Sequence, residues 1–151
     1  MRVKSIPDEY HTLTPYLLAE DAQVLIDFLH KAFNAITRES IRNKEGKIGH
    51  AEVKIGDSIV MIGSKPGEKI FPAMMYMYVE NMDAIYQQAL KAGGVSLMEP
   101  TDQFYGDRNA GIQDPCGNKW WIATHKEDLT KEELDKRAQS YYEVNAIQHN
   151  N

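Results

Sequence analysis

Apolar positions along the chain switch between two periods, and the switches mark out its elements. Val24, Leu25, Phe28, Leu29 and Ala32 keep the i, i+3/i+4 spacing that lines one face of a helix. Met82, Ile85, Tyr86, Ala89 and Leu90 do the same, and Gly93-Gly94 follows them as helix C-termini prefer. After each helix come three strand-like segments. The first set spans about Ile36 to Arg42, Gly49 to Ile55 and Ser58 to Ser64, with "KEGK" and "GD" as turns. The second spans about Val95 to Pro100, Arg108 to Gln113 and Lys119 to Thr124, with "DPCGN" as the last turn. A short β-type run precedes each helix and ends in a turn at Asp21 or Asn81.

The two halves are copies. "YLLAEDAQVLIDFLHKAFNA" from Tyr16 aligns without a gap on "YMYVENMDAIYQQALKAGGV" from Tyr76, an offset of 60 residues. Tyr, Glu and a Lys-Ala recur identically, and the apolar positions largely coincide. The pattern is βαβββ twice, about residues 12–64 and 74–125, joined by the Gly/Pro/Lys-rich linker "GSKPGEKIFP". A third helix is predicted over about 130–142, opened by the capping box "TKEE" at Thr130 and carrying Leu134, Ala138 and Tyr141 as a narrow stripe. The polar tail "NAIQHNN" is expected to fray. The fold class is therefore α+β: two βαβββ repeats forming a curved mixed-sheet cleft, plus a C-terminal helix. At 151 residues, all of this is one domain with one core.

Composition narrows the function. With 42% apolar and 26% charged residues the chain reads as a soluble globular protein. A net charge of −5 argues against a nucleic-acid surface, which shows a basic patch. No stretch reaches the roughly 18 apolar residues of a membrane span, and "MRVKSIPDEYHT" lacks the apolar run of a signal peptide. The single cysteine, Cys116, excludes an internal disulfide and suits a reducing cytoplasm. It lies in a Pro-Cys-Gly turn with nothing to mark it as a nucleophile.

"GDRNAGIQDPCGNKWWIATH" poses a question, because its last strand carries two adjacent tryptophans. Neighbouring strand residues point to opposite faces, so Trp120 and Ile122 can face the helices while Trp121 faces the cleft. Two βαβββ units with these turns resemble the vicinal oxygen chelate superfamily of glyoxalase I, extradiol dioxygenases and bleomycin-resistance proteins. The PhnB-like branch is the most similar. The residues that carry the resemblance are "LTPYL" at Leu13, "GHAEVKIGDSIVMI" at Gly49, "GDR" at Gly106 and "DPCGNKWWIATH" at Asp114. The resemblance implies a ligand cleft, a homodimer that often shares cleft walls between chains, and, in the metalloenzymes, His, Glu or Gln at matching strand positions. Here those positions fall on Thr14, Met74, Trp121 and Val60, or on Met61 or Ile62 if the register slips. Hydroxyl, thioether, indole and alkyl groups are poor donors for a divalent cation, so no metal or other cofactor is expected.

Trp121 admits two readings. Its indole could plug a closed cleft, since burying about 150–250 Å² is worth roughly 4–6 kcal/mol, or it could be a platform for a planar or cationic ligand. Tyr16, Tyr76 and Tyr78 should share its face. Met74 could line the cleft with a flexible thioether or fill the core. Arg108 could clamp an anion or pair with Asp107 or Asp114. His125 should share the Trp121 face near the rim, and Asp114 should organise its turn. His11, His50 and Glu52 are the only residues placed to form a non-standard metal site, and His50 with Glu52 could act as an acid–base pair. The expected function is a small-molecule-binding protein holding an apolar or aromatic ligand at Thr14, Tyr16, Met74, Tyr76, Tyr78, Arg108, Trp121 and His125, with no nucleic-acid or membrane partner. The alternative is a lyase, isomerase or dioxygenase of the same superfamily, with or without a metal.

Overall fold

The computed structural model describes residues 3–148. Its elements run β1 (Tyr16–Ala19), α1 (Ala22–Phe33), β2 (Ile36–Arg42), β3 (Ile48–Ile55) and β4 (Ser58–Ser64), then β5 (Met74–Tyr78), α2 (Met82–Lys91), β6 (Val95–Asp102), β7 (Asp107–Gln113) and β8 (Lys119–His125), then α3 (Lys131–Gln148). Both repeats start their helix with a side-chain cap, Asp21 accepting from the Gln23 N–H and Asn81 from the Ala84 N–H. They end differently. Asn34 closes α1 in the left-handed region at φ 55°, whereas α2 passes through Ala92 to Gly93 at φ 106°.

Each repeat forms one four-stranded mixed sheet, in the order β1-β4-β3-β2 or β5-β8-β7-β6. The edge pairs β1/β4 and β5/β8 are parallel and the others antiparallel. Pro100 is accommodated because β6 is an edge strand whose register is irregular between Met98 and Thr101. The core is shared: Leu25 and Leu29 of α1, Met82 of α2, Ile62 of β4, and Ile112 and Ile122 of β7 and β8 are all fully buried. Each contributes about 1.5–3 kcal/mol on leaving water. α1 packs on α2, and Phe33 at the end of α1 meets the Trp120 ring at 5.0 Å. The two sheets therefore meet through the helices rather than face to face, and each keeps one face open.

The capping box of α3 forms as its sequence predicts: Glu133 N–H donates to Thr130 Oγ1 (3.2 Å), and Thr130 N–H donates to Glu133 Oε2 (2.9 Å). The helix continues past residue 142 to Gln148, with the Asn145 side chain donating back to the Tyr141 carbonyl. The last three residues of the tail, 149–151, lie outside the described residues. No described helix is long and apolar enough to cross a membrane.

Candidate functional site

The open face of the second sheet is set by strand alternation. Met74, Tyr76 and Tyr78 of β5 point there, and β8 contributes Lys119, Trp121 and Ala123 in register with them and His125 beyond. β7 adds Asp107, Asn109 and Gly111 opposite His125, Ala123 and Trp121. Trp120 and Ile122 turn to the helices at 3% and 0% exposure, while Trp121 stays half-buried. The second indole is therefore part of an accessible surface.

Two small residues shape that surface. Gly111 is the first: a Cβ built on it would stand 1.6 Å from Trp121 Cζ3 and 2.3 Å from Cε3, so the indole lies directly across the β7 backbone. Ala123 is the second. It is completely buried, and the phenols of Tyr76 and Tyr78 on β5 reach past β8 to residues of β7. A larger side chain at either position would obstruct the aromatic group that crosses it.

The phenols converge on Asp107, which is 4% exposed. Its Oδ2 accepts from Tyr76 Oη (2.9 Å) and Tyr78 Oη (2.8 Å), and its Oδ1 lies 2.9 Å from His125 Nδ1. Burial alone would raise the Asp107 carboxyl, but the bonds from His125, Tyr78 and Tyr76 outweigh it and hold the group below its usual range. His125 is raised in turn, first by Asp107 and then by Asp128, whose Oδ1 is 3.0 Å from Nε2. Burial pushes the Tyr76 phenol above its usual range, while the bond to Asp107 does so for Tyr78. Asn109 extends the network, donating to Tyr76 Oη (3.0 Å) and Tyr105 Oη (2.8 Å) and accepting from Gln103 Nε2 (2.9 Å). No buried side-chain polar atom among the described residues lacks a partner.

Asp107 is the residue that sequence reasoning missed. The sequence offers it only as a partner for Arg108, yet adjacent strand residues point to opposite faces and cannot pair. Arg108 faces the helices instead. Its Nε is 2.9 Å from Asp83 Oδ2 on α2, its Nη2 is 2.9 Å from Asp83 Oδ1, and Nη1 reaches Asp102 at 3.2 Å. The Arg108 guanidinium is thus committed to α2 and is withdrawn from the face it was expected to serve.

The remaining expected site residues lie on the first of the two sheets. Thr14, just ahead of β1, and Tyr16 belong to the first sheet, where Tyr16 Oη lies 3.1 Å from His50 Nδ1. His50 Nε2 stands 3.8 Å from Glu52 Oε1, while the neighbouring Glu9 is bound to Arg38 and Lys54. The registers Tyr16↔Met61 and Tyr76↔Trp121 preserve the offset of 60 residues, so the counterpart of Trp121 is Met61 rather than Val60. Thr14, Met61, Met74 and Trp121 are a donor set that does not fit a divalent cation. Among the described residues no three His, Cys, Asp or Glu side chains gather as metal ligands, and His11 does not join His50 and Glu52 in such a group.

Asp114 anchors the β7–β8 turn, as its position suggests. Its carboxylate accepts from the N–H groups of Cys116 (2.8 Å) and Asn118 (3.0 Å) and from the Trp120 indole (2.9 Å). Burial, aided by the Asp114 charge, pushes the Cys116 thiol up to about 11, so it carries little thiolate near neutral pH.

A family model described as the Glyoxalase/Bleomycin resistance protein/Dioxygenase superfamily matches residues 11–122. An uncharacterized protein of Mycobacterium tuberculosis is 29% identical over 134 residues, which cover 81% of this chain and 79% of that one. Among solved structures, TioX from Micromonospora sp. ML1 is similar with a TM-score of 0.68 at 21% identity, over 76% of this chain and 98% of that one. The PhnB protein of Bacillus cereus is similar with a TM-score of 0.64 at 18% identity, over 76% of this chain and 99% of that one. At these identities the structural likeness speaks for the fold alone.

Proposed function

Because the chain belongs to the Glyoxalase/Bleomycin resistance protein/Dioxygenase superfamily, we propose that it is a binding protein that seats a small aromatic or apolar molecule on the open face of its second sheet. The supporting observation is the half-buried Trp121 indole laid across Gly111, beside two phenols held by a buried carboxylate. A surface meant only to be covered by the fold has no need of that polar scaffold. An aromatic plane fixed in one orientation gives a ligand contact area at little cost in side-chain entropy. Met74 lies at the edge of this surface and His125 at its rim, whereas Arg108 takes no part.

The proposal includes a second copy of the chain. Tyr16, Ile36 and Ile41 on the first sheet, and Met74 and Tyr78 on the second, are all more than half exposed in a single chain. Apolar area of this kind on two open sheet faces favours association, and a homodimer could close one sheet over the other. The lone Cys116 is consistent with work in the cytoplasm.

Tryptophan fluorescence titrated with a broad set of aromatic compounds tests the reading. Saturable quenching that disappears in Trp121→Phe is expected, and a complete absence of quenching across the set would refute it. A second reading, a proton-transferring enzyme, is favoured by His50 standing between Tyr16 and Glu52. It requires deuterium exchange into a bound carbon acid that His50→Gln abolishes.

A further inference from the structure

The direction of the hydrogen bonds around Asp107 restricts which ligand the Trp121 face can take. An ionised carboxylate only accepts, so the protons of Tyr76 and Tyr78 both point at Asp107. Both amide protons of Asn109 are likewise committed, one to Tyr76 Oη and one to Tyr105 Oη. Tyr78 Oη therefore shows only lone pairs to solvent, and Tyr76 Oη has at most one lone pair to spare. A ligand that meets these oxygens has to donate.

Charge points the same way. The buried Asp107 carboxylate lies behind the phenols, and Asp107 and Asp128 together bracket the His125 imidazole, so two carboxylates outnumber the single imidazolium they hold. Arg108, the guanidinium nearest in sequence, is held on the helix side by Asp83 and Asp102. Lys119, the lysine of this face, stands at the opposite end of β8, two residues beyond Trp121. The phenol end thus combines aromatic faces, acceptor oxygens and a carboxylate, which together suit a positively charged nitrogen.

We propose that the site selects an aromatic or apolar amine in its ammonium form, with the ring against Trp121 and the N–H groups directed at Tyr78 Oη and Tyr76 Oη. This rests on the binding reading above and adds the chemical class of the ligand.

Benzylamine, benzyl alcohol and benzoate share a ring and differ in charge, which makes them suitable probes at pH 7.5. Titrations of the full chain by tryptophan fluorescence and calorimetry are expected to give benzylammonium about tenfold tighter binding than the alcohol, since a charge-assisted bond replaces a neutral one. Benzoate should bind most weakly. In Tyr78→Phe the ring stays while the acceptor is lost, and the amine-to-alcohol preference should shrink to about threefold or less. Asp107→Asn should erase the preference, with circular dichroism confirming that the variant folds. An alcohol that binds as tightly as the amine overturns the inference, as does an unchanged preference in Tyr78→Phe. Benzoate binding most tightly would overturn it by making Lys119 the anchor. If none of the three probes binds while other neutral aromatics quench Trp121, the ammonium selectivity falls and the aromatic platform survives. Failure of every aromatic compound sinks the platform first and this inference with it.

Discussion

A single methyl group added at Gly111 would displace the Trp121 indole. The new Cβ would stand 1.6, 2.3 and 2.4 Å from three ring atoms, Cζ3, Cε3 and Cη2. Carbon atoms settle near 3.5–4.0 Å, so the ring would have to retreat by about 2 Å or rotate away from the strand. Overpacking of this kind costs about 1–3 kcal/mol. Alanine returns about 0.4–1 kcal/mol by restricting the unfolded chain, because Gly111 does not occupy a backbone conformation that demands glycine. Gly111→Ala is thus expected to lose about 1–2 kcal/mol in urea unfolding if the indole stays pressed to the sheet, and less if it swings into solvent. Either way the platform is lost. Fluorescence should show a red-shifted emission relative to the parent, with Trp121→Phe fixing the share that belongs to Trp120, and ligand quenching should weaken by about tenfold or more. Parent-like emission together with parent-like ligand affinity in Gly111→Ala would refute the reasoning.

Other perturbations separate the site from its surroundings. Arg108→Ala should leave ligand affinity unchanged and cost about 1 kcal/mol or less, because its partners Asp83 and Asp102 are exposed; weaker binding measured by calorimetry would return Arg108 to the site. Asp114→Ala strands the N–H groups of Cys116, Asn118 and the Trp120 indole, so thermal unfolding should report a loss of about 3 kcal/mol or more. A loss under 1 kcal/mol would contradict that account. In an NMR titration His125 should ionise above the ordinary histidine value of about 6.5. Since its pKa is raised on folding, its contribution to stability is complete below the unfolded value and fades as pH rises through the folded one. Asp107→Asn should lower that pKa, and an unmoved titration would break the His125–Asp107 link.

Much of this was legible in the chain. The offset of 60 residues, the two helical stripes and the turn residues were enough to predict two βαβββ units, because each is a local signal that the fold does not override. The inward and outward assignment of Trp120 and Trp121 followed from strand alternation alone. Asp107 was not legible as the centre of a network: its partners lie on β5 and β8, and only the sheet order β5-β8-β7 brings them within reach. Alternation could have shown that Asp107 and Arg108 point apart, and a glycine opposite Trp121 could have hinted at a ring crossing the strand.

The indole N–H resonances offer the most direct measurement of the central claim, since the two tryptophans supply one signal each. The Trp120 indole donates to Asp114 inside the core, whereas Trp121 lies on the open face. Titration of nitrogen-15-labelled protein with an aromatic amine should move the Trp121 indole signal saturably and leave the Trp120 signal in place. A Trp121 signal that never moves with any aromatic ligand, or a shift confined to Trp120, would contradict the account.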